Sequence, residues 1–219
     1  GKLLRQHVLV ASAIVAFDAR HRCTPVPAQL TATPCNTEAN AFDFGQQPYY
    51  AVLNPSHGTL FQSLTGRFTL AHNKQWLRSE FNLSDKEQHF CDQFNLPFAC
   101  SPLAIDSVLQ ACVLSCVQIE SEQHATFFSK LPIGLEEVHF YQAMMFHHTY
   151  QCTLAVLDVT AQTQTLRAWV TNDQGTLVAY YGQITLHRAP NETRQACRFE
   201  RDYLQYLVPI PPSDNHQQN

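Results

Sequence analysis

The stretch Ser101–Glu120, SPLAIDSVLQACVLSCVQIE, constrains the fold more than any other part of the chain. Ile105, Val108, Leu109, Cys112, Val113, Cys116 and Val117 recur at helical spacing and cover most of a helix circumference. A helix that is apolar nearly all round has to be wrapped by other elements. Pro102 suits the first helical turn, where its missing N–H is not needed, and Ser101 before it is a natural N-cap. One carboxylate, Asp106, is set into this apolar surface, with Gln110 one turn on along the same face. Two readings of Asp106 stand side by side. In one it caps the first turn, where the helix dipole favours negative charge. In the other it is a working acid in a pocket, with Gln110 holding its rotamer, because a buried carboxylate is costly unless paired, protonated or used.

Composition bounds the rest. Of 219 residues, 45% are hydrophobic and 15% charged, enough for a sizeable core in one domain with or without an appendage. A net charge of −4, with no basic stripe and no binding motif, argues against nucleic acid as a partner. No apolar run approaches the roughly 20 residues of a membrane helix. Val8–Phe17 is apolar over about ten residues but lacks a cleavage site, so neither a membrane anchor nor a signal peptide is expected. The eight cysteines show no disulfide framework and no C-x-x-C pair, so no metal site is expected and a reducing cytoplasm fits best. Cys112 and Cys116 read as small hydrophobes inside the helix.

Leu3–Phe17 reads as a buried strand or a short helix, with Val8, Val10, Ile14 and Val15 favouring strand. Arg20–Gln47 carries Pro25, Pro27 and Pro34 and reads as an extended connector. A short helical turn or strand start is expected at Tyr49–Leu53, and Phe61 and Leu64 are expected to point inward. Gly66–Leu83 alternates as two antiparallel strands with a turn at Asn73-Lys74. After the helix, strands are predicted at Ala125–Lys130, Gly134–Ala143, Thr149–Val159, Thr163–Asn172 and Leu177–His187, the last two joined at Asp173-Gln174-Gly175. Phe127, Phe128, Phe140 and Tyr141 are expected to pack the sheet onto the helix or to line an acyl tunnel. The predicted organisation is an N-terminal strand and Pro-rich linker over 1–48, a domain over 49–190 and a helical or unstructured tail over 191–219. One buried helix wrapped by a curved antiparallel sheet is the α+β hot-dog arrangement.

The motifs carry a family resemblance. SPLAIDSVLQA (Ser101–Ala111) resembles the "hP-x-x-x-D-x-x-x-Q" helix in the second hot-dog of polyketide-synthase-type dehydratases. HGTLFQSL (His57–Leu64) resembles the "YGxxFqgL" segment that precedes that helix, and GLEEVHFY (Gly134–Tyr141) resembles a following strand. The closing hairpin from Leu166 to Ala189 is similar to the last two strands. The resemblance spans Tyr49–Ala189 and is most like the dehydratase-like region of bacterial polyunsaturated fatty acid synthases.

That resemblance implies removal of water from a 3-hydroxyacyl thioester held by an acyl carrier protein through phosphopantetheine, among other synthase domains, without a cofactor. It implies Asp106 as the acid and Gln110 as its partner, with His57, Gly58 and Phe61 lining the site. It also implies a histidine base from a first hot-dog. His57 stands where the family has Tyr, and His7 is read as an ordinary strand residue in the remnant of that first unit. Burial raises the pKa of such an acid and the helix N-terminus lowers it, and free N–H groups there could polarise the thioester carbonyl. Two other readings are carried forward. One is a non-catalytic dehydratase-like scaffold or dimerisation module, including a homodimer. The other is a hot-dog thioesterase.

Overall fold

The computed structural model describes residues 38–43, 45–46, 49–50, 58–83, 101–121, 124–127, 130–144 and 146–188. The expected N-terminal strand, most of the Pro-rich linker, the C-terminal tail, His7 and His57 lie outside them. The elements are β1 (Ala39–Asp43), a 3-10 turn (Thr59–Phe61), β2 (Leu64–Ala71), β3 (Trp76–Asn82) and α1 (Pro102–Leu114). After the helix come β4 (Val117–Ser121), β5 (His124–Phe127), β6 (Lys130–Phe140), β7 (Thr149–Val159), β8 (Thr163–Asn172) and β9 (Leu177–Arg188). Seven strands form one antiparallel sheet in the order β1-β2-β3-β7-β8-β9-β6, and β4-β5 stand as a separate hairpin. The sheet wraps α1, which touches β2, β6 and β7. This is the hot-dog arrangement read from the sequence.

Alternation makes the sheet two-faced. Leu154, Leu166, Ala168, Val170, Ile184 and Leu186 are fully buried and meet Ala104, Val108, Ala111 and Cys112 of α1 in one core. Trp169, one residue out of phase with Ala168 and Val170, joins Tyr141, Leu177 and Tyr180 in a smaller cluster on the other face. Tyr141 therefore does not pack against the helix as expected. Phe140 is 43% exposed, and Phe128 lies outside the described residues.

β7 and β8 run between the ends predicted for them, and β9 runs one residue longer. Their turns form through local chemistry. Gly175 takes φ +76° after Asn172, whose Oδ1 accepts from the Gln174 and Thr176 amides. At the β2–β3 turn Lys74 takes φ +57°.

The helix is shorter than its apolar pattern. It ends at Leu114, where the Ser115 N–H bonds to both Ala111 and Cys112 carbonyls, and Val117–Ser121 is a strand. Val117 and Ile119 are β-branched and alternate with Gln118 and Glu120, so a period of two takes over from 3.6. β1 falls inside the expected connector and pairs with β2 from Ala39↔Ala71 to Asp43↔Arg67. The remaining strands are shifted by a few residues: His124–Phe127 for the predicted Ala125–Lys130, and Lys130–Phe140 for Gly134–Ala143.

β2 carries a bulge between Leu64 and Phe68, where Gly66 has φ +84°. A Cβ at Gly66 would stand 2.5 Å from the Gly45 carbonyl oxygen. That same carbonyl accepts the Tyr49 N–H at 3.1 Å and so opens the turn that holds Tyr50.

Candidate active site

The N-terminus of α1 is built as its sequence predicts. Ser101 Oγ accepts the Leu103 N–H at 3.2 Å, and Pro102 occupies the first turn. The Ala104 and Ile105 N–H groups bond to the Ser101 carbonyl. Each N–H of this first turn is thus engaged within the chain, so the expected free N–H groups for a thioester carbonyl are not there. No acidic residue lies in the first turn; Asp106 sits in the second, which removes the capping reading.

Asp106 is half-buried. Gln110, on the same face and only 3% exposed, donates from Nε2 to Asp106 Oδ2 at 2.5 Å. The same Nε2 donates to the Phe61 carbonyl at 2.8 Å. Gln110 Oε1 in turn accepts the Tyr50 hydroxyl at 2.8 Å, and that hydroxyl accepts the Leu64 N–H at 2.9 Å. Alongside, Ser107 Oγ donates to the Leu103 carbonyl at 2.7 Å and shares a 2.5 Å hydrogen bond with Ser63 Oγ. The helix, the 3-10 turn, the start of β2 and the Tyr50 turn are thereby joined around one carboxyl.

Burial pushes the Tyr50 hydroxyl up to about 12; bonds with Leu64 and Ser63 pull it down, and the Asp106 charge adds to the rise. The phenol keeps its proton at neutral pH and remains a donor. Burial also raises the Cys112, Cys116 and Cys152 thiols; Cys112 and Cys116 are buried as expected, although Cys116 lies beyond the end of the helix, and Cys152 is likewise an inert core residue.

The sequence-predicted residues are partly assembled. Asp106 and Gln110 are in contact, and Phe61 reaches Gln110 with its main chain; its ring is 41% exposed rather than turned inward, whereas Leu64 is buried at 2%. Gly58 is exposed, with nothing within 4 Å of where a Cβ would stand, and its carbonyl accepts the Phe61 N–H at 2.9 Å. Among the described histidines, His72 meets Glu38 and Asn40, and His139 meets Glu137 and the Tyr141 ring. His147 and His148 are exposed at the start of β7. Among the described residues no group of three or more His, Cys, Asp or Glu could hold a metal ion, and no helix is long and apolar enough to cross a membrane. Tyr50, Ser63 and Ser107 were not singled out by sequence. The available signal was Ser107, a third polar residue with Asp106 and Gln110 on an otherwise apolar helix.

A half-buried carboxyl of controlled rotamer, on the buried helix of a hot-dog, is the geometry of a proton donor or acceptor. A family model described as "Polyketide synthase dehydratase N-terminal domain" matches residues 41–196. The chain belongs to the polyketide synthase dehydratase family. Solved structures with the same fold include the bifunctional dehydratase-cyclase domain in ambruticin biosynthesis, at 15% identity and TM-score 0.54, over 76% of this chain and 53% of that one. A trans-AT PKS dehydratase domain from Brevibacillus brevis is similar at 19% identity and TM-score 0.52, over 70% of this chain and 50% of that one. The chain therefore spans about half the length of these dehydratase structures. No curated protein matches it.

Proposed function

We propose that this polyketide synthase dehydratase-family domain is the second hot-dog of a 3-hydroxyacyl thioester dehydratase, with Asp106 as its acid. The observation that carries the reading is the Asp106–Gln110 pair: a half-buried carboxyl on the wrapped helix, gripped at 2.5 Å by an amide that is itself buried. A purely structural helix has no need of such a pair. The second-unit placement rests on that helix motif, whereas the matching family model is described as an N-terminal domain. In the reaction a base takes the proton from the carbon alpha to the thioester. The 3-hydroxyl leaves with a proton from Asp106, and the products are water and an enoyl thioester. His57 and His7 are the first candidates for the base. The acyl chain is carried by the phosphopantetheine of an acyl carrier protein, alongside other domains of a cytoplasmic synthase, and a polyunsaturated fatty acid synthase fits the motifs best. The motif assigns His57, Gly58 and Phe61 to the approach to Asp106.

The second reading is a dehydratase-like scaffold or dimerisation module. It is favoured by the coverage of about half of the solved dehydratases, since the family's base comes from the other unit. A hot-dog thioesterase is the third. The test is to incubate the purified chain with a 3-hydroxyacyl thioester and follow loss of water, loss of thiol, and the reverse hydration of the enoyl thioester by mass spectrometry. Dehydration that Asp106→Asn abolishes, with the fold intact, supports the proposal. Dehydration unaffected by Asp106→Asn overturns the role of Asp106. Free thiol without enoyl product supports the thioesterase, and a folded chain without turnover supports either a scaffold or half of a site whose base lies in another unit.

A further inference from the structure

The amide of Gln110 can face Asp106 in two ways, and the difference matters for an acid. With Nε2 toward the carboxyl it donates, fixes the rotamer and leaves the acid's own proton for the substrate. Reversed, Oε1 would face the carboxyl, repel it when ionised and capture its proton when protonated. Asp106 and the Phe61 carbonyl both lie on the Nε2 side, at 2.5 and 2.8 Å. On the other side Oε1 is buried and takes its hydrogen bond from Tyr50 at 2.8 Å. Tyr50 has one proton. Its oxygen already accepts the Leu64 N–H at 2.9 Å and is also bonded by Ser63, and the Phe61 carbonyl is a long alternative acceptor at 3.4 Å. The hydroxyl is thus aimed at Oε1 by the backbone of β2.

Resting on the dehydratase reading, we infer that Tyr50 is a positioning residue, whose hydroxyl locks the Gln110 amide with its NH2 group toward Asp106. The residue is 3% exposed and lies 60 positions from Gln110 in the chain, so the lock is set by the fold and not by the helix. Because the phenol stays protonated well above neutral pH, the lock persists across the working range. Removing the hydroxyl takes the Tyr50 donor away from the buried Oε1, which loosens the amide held against Asp106.

The test has two arms on the full chain. The first is independent of activity. In 15N–1H spectra the Gln110 side-chain amide, identified by its loss in Gln110→Ala, gives two resolved protons in slow exchange with water. Tyr50→Phe speeds that exchange about tenfold, the effect of one net hydrogen bond. If Tyr50→Phe does not fold, 3,5-difluorotyrosine at position 50 keeps the shape and sharpens the donor; it shifts the Gln110 amide protons with the melting temperature unchanged. The second arm is kinetic. Tyr50→Phe lowers kcat about tenfold with KM unchanged. In a Gln110→Ala background the same change has no further effect, whereas a merely structural role lowers kcat equally in both backgrounds. Unmoved Gln110 resonances, or equal losses in the two backgrounds, overturn the inference. Wild-type protein that does not turn over counts only against dehydration by this chain on its own, and the spectra then decide the Tyr50–Gln110 lock.

Discussion

Replacing Gly66 by Ala tests whether the bulge of β2 holds the site together. Two costs act at that position. At φ +84° an L-residue is strained by about 1–2 kcal/mol. The new Cβ would also meet the Gly45 carbonyl oxygen at 2.5 Å and its carbon at 2.7 Å, backbone atoms that cannot rotate away. Forcing them apart costs about 1–3 kcal/mol, as other overpacking does. The lower entropy of the unfolded Ala chain returns roughly 0.4–1 kcal/mol. The net expectation is a loss of about 1–5 kcal/mol, or a fall in Tm on the order of 2–20 °C for a chain of this size. Two glycines separate the contributions. Gly175 has φ +76° with nothing within 4 Å, so Gly175→Ala carries the backbone strain alone. Gly58 has φ −61° and open space, so Gly58→Ala carries neither. Urea denaturation of the three variants should rank them Gly66, Gly175, Gly58 from most to least destabilised. Gly66→Ala costing no more than Gly175→Ala would refute the contact argument. Because the Gly45 carbonyl also anchors the Tyr50 turn, Gly66→Ala is further expected to disturb the Gln110 side-chain amide resonances, which Gly175→Ala leaves in place.

Two other outcomes follow from the core. Leu154→Ala removes a fully buried side chain from the middle of the sheet and should cost about 2–5 kcal/mol in a urea titration, with Leu154→Met costing under about 1.5 kcal/mol. Burial raises the Cys152 thiol from the ordinary 9 to about 12, so the folded chain keeps a proton that the unfolded chain releases. That contribution is complete below pH 9 and is lost as pH rises toward 12; the urea midpoint should fall across this window, and less steeply in Cys152→Ala.

What the sequence revealed and what it hid divide by range. The ends of β7 and β8 were legible because alternation and turn chemistry are local: Asn172 and Gly175 make their turn with their own neighbours. Asp106 and Gln110 were legible because one helix sets both. The end of α1 was not, since Cys116 and Val117 satisfy the helical period while Val117 and Ile119 also satisfy the strand period, and the β4–β5 pairing decides between them. β1 was hidden for another reason. It is an edge strand bonded to β2 by its backbone, and ANAFD among prolines and threonines carries little side-chain pattern. Tyr50 was invisible because its value arises only when the Leu64 amide and Gln110 close on it from elsewhere in the chain.

The bond between Gln110 and position 61 goes to a main-chain oxygen, which every amino acid supplies. Evolution can therefore change the ring at 61 without altering the grip on the Asp106 carboxyl. Proline is the exception, because the Phe61 N–H is needed by the Gly58 carbonyl. On the proposed dehydratase reading, substrate preference and proton handling would in this way be separable at a single residue, one written in its side chain and the other in its peptide group.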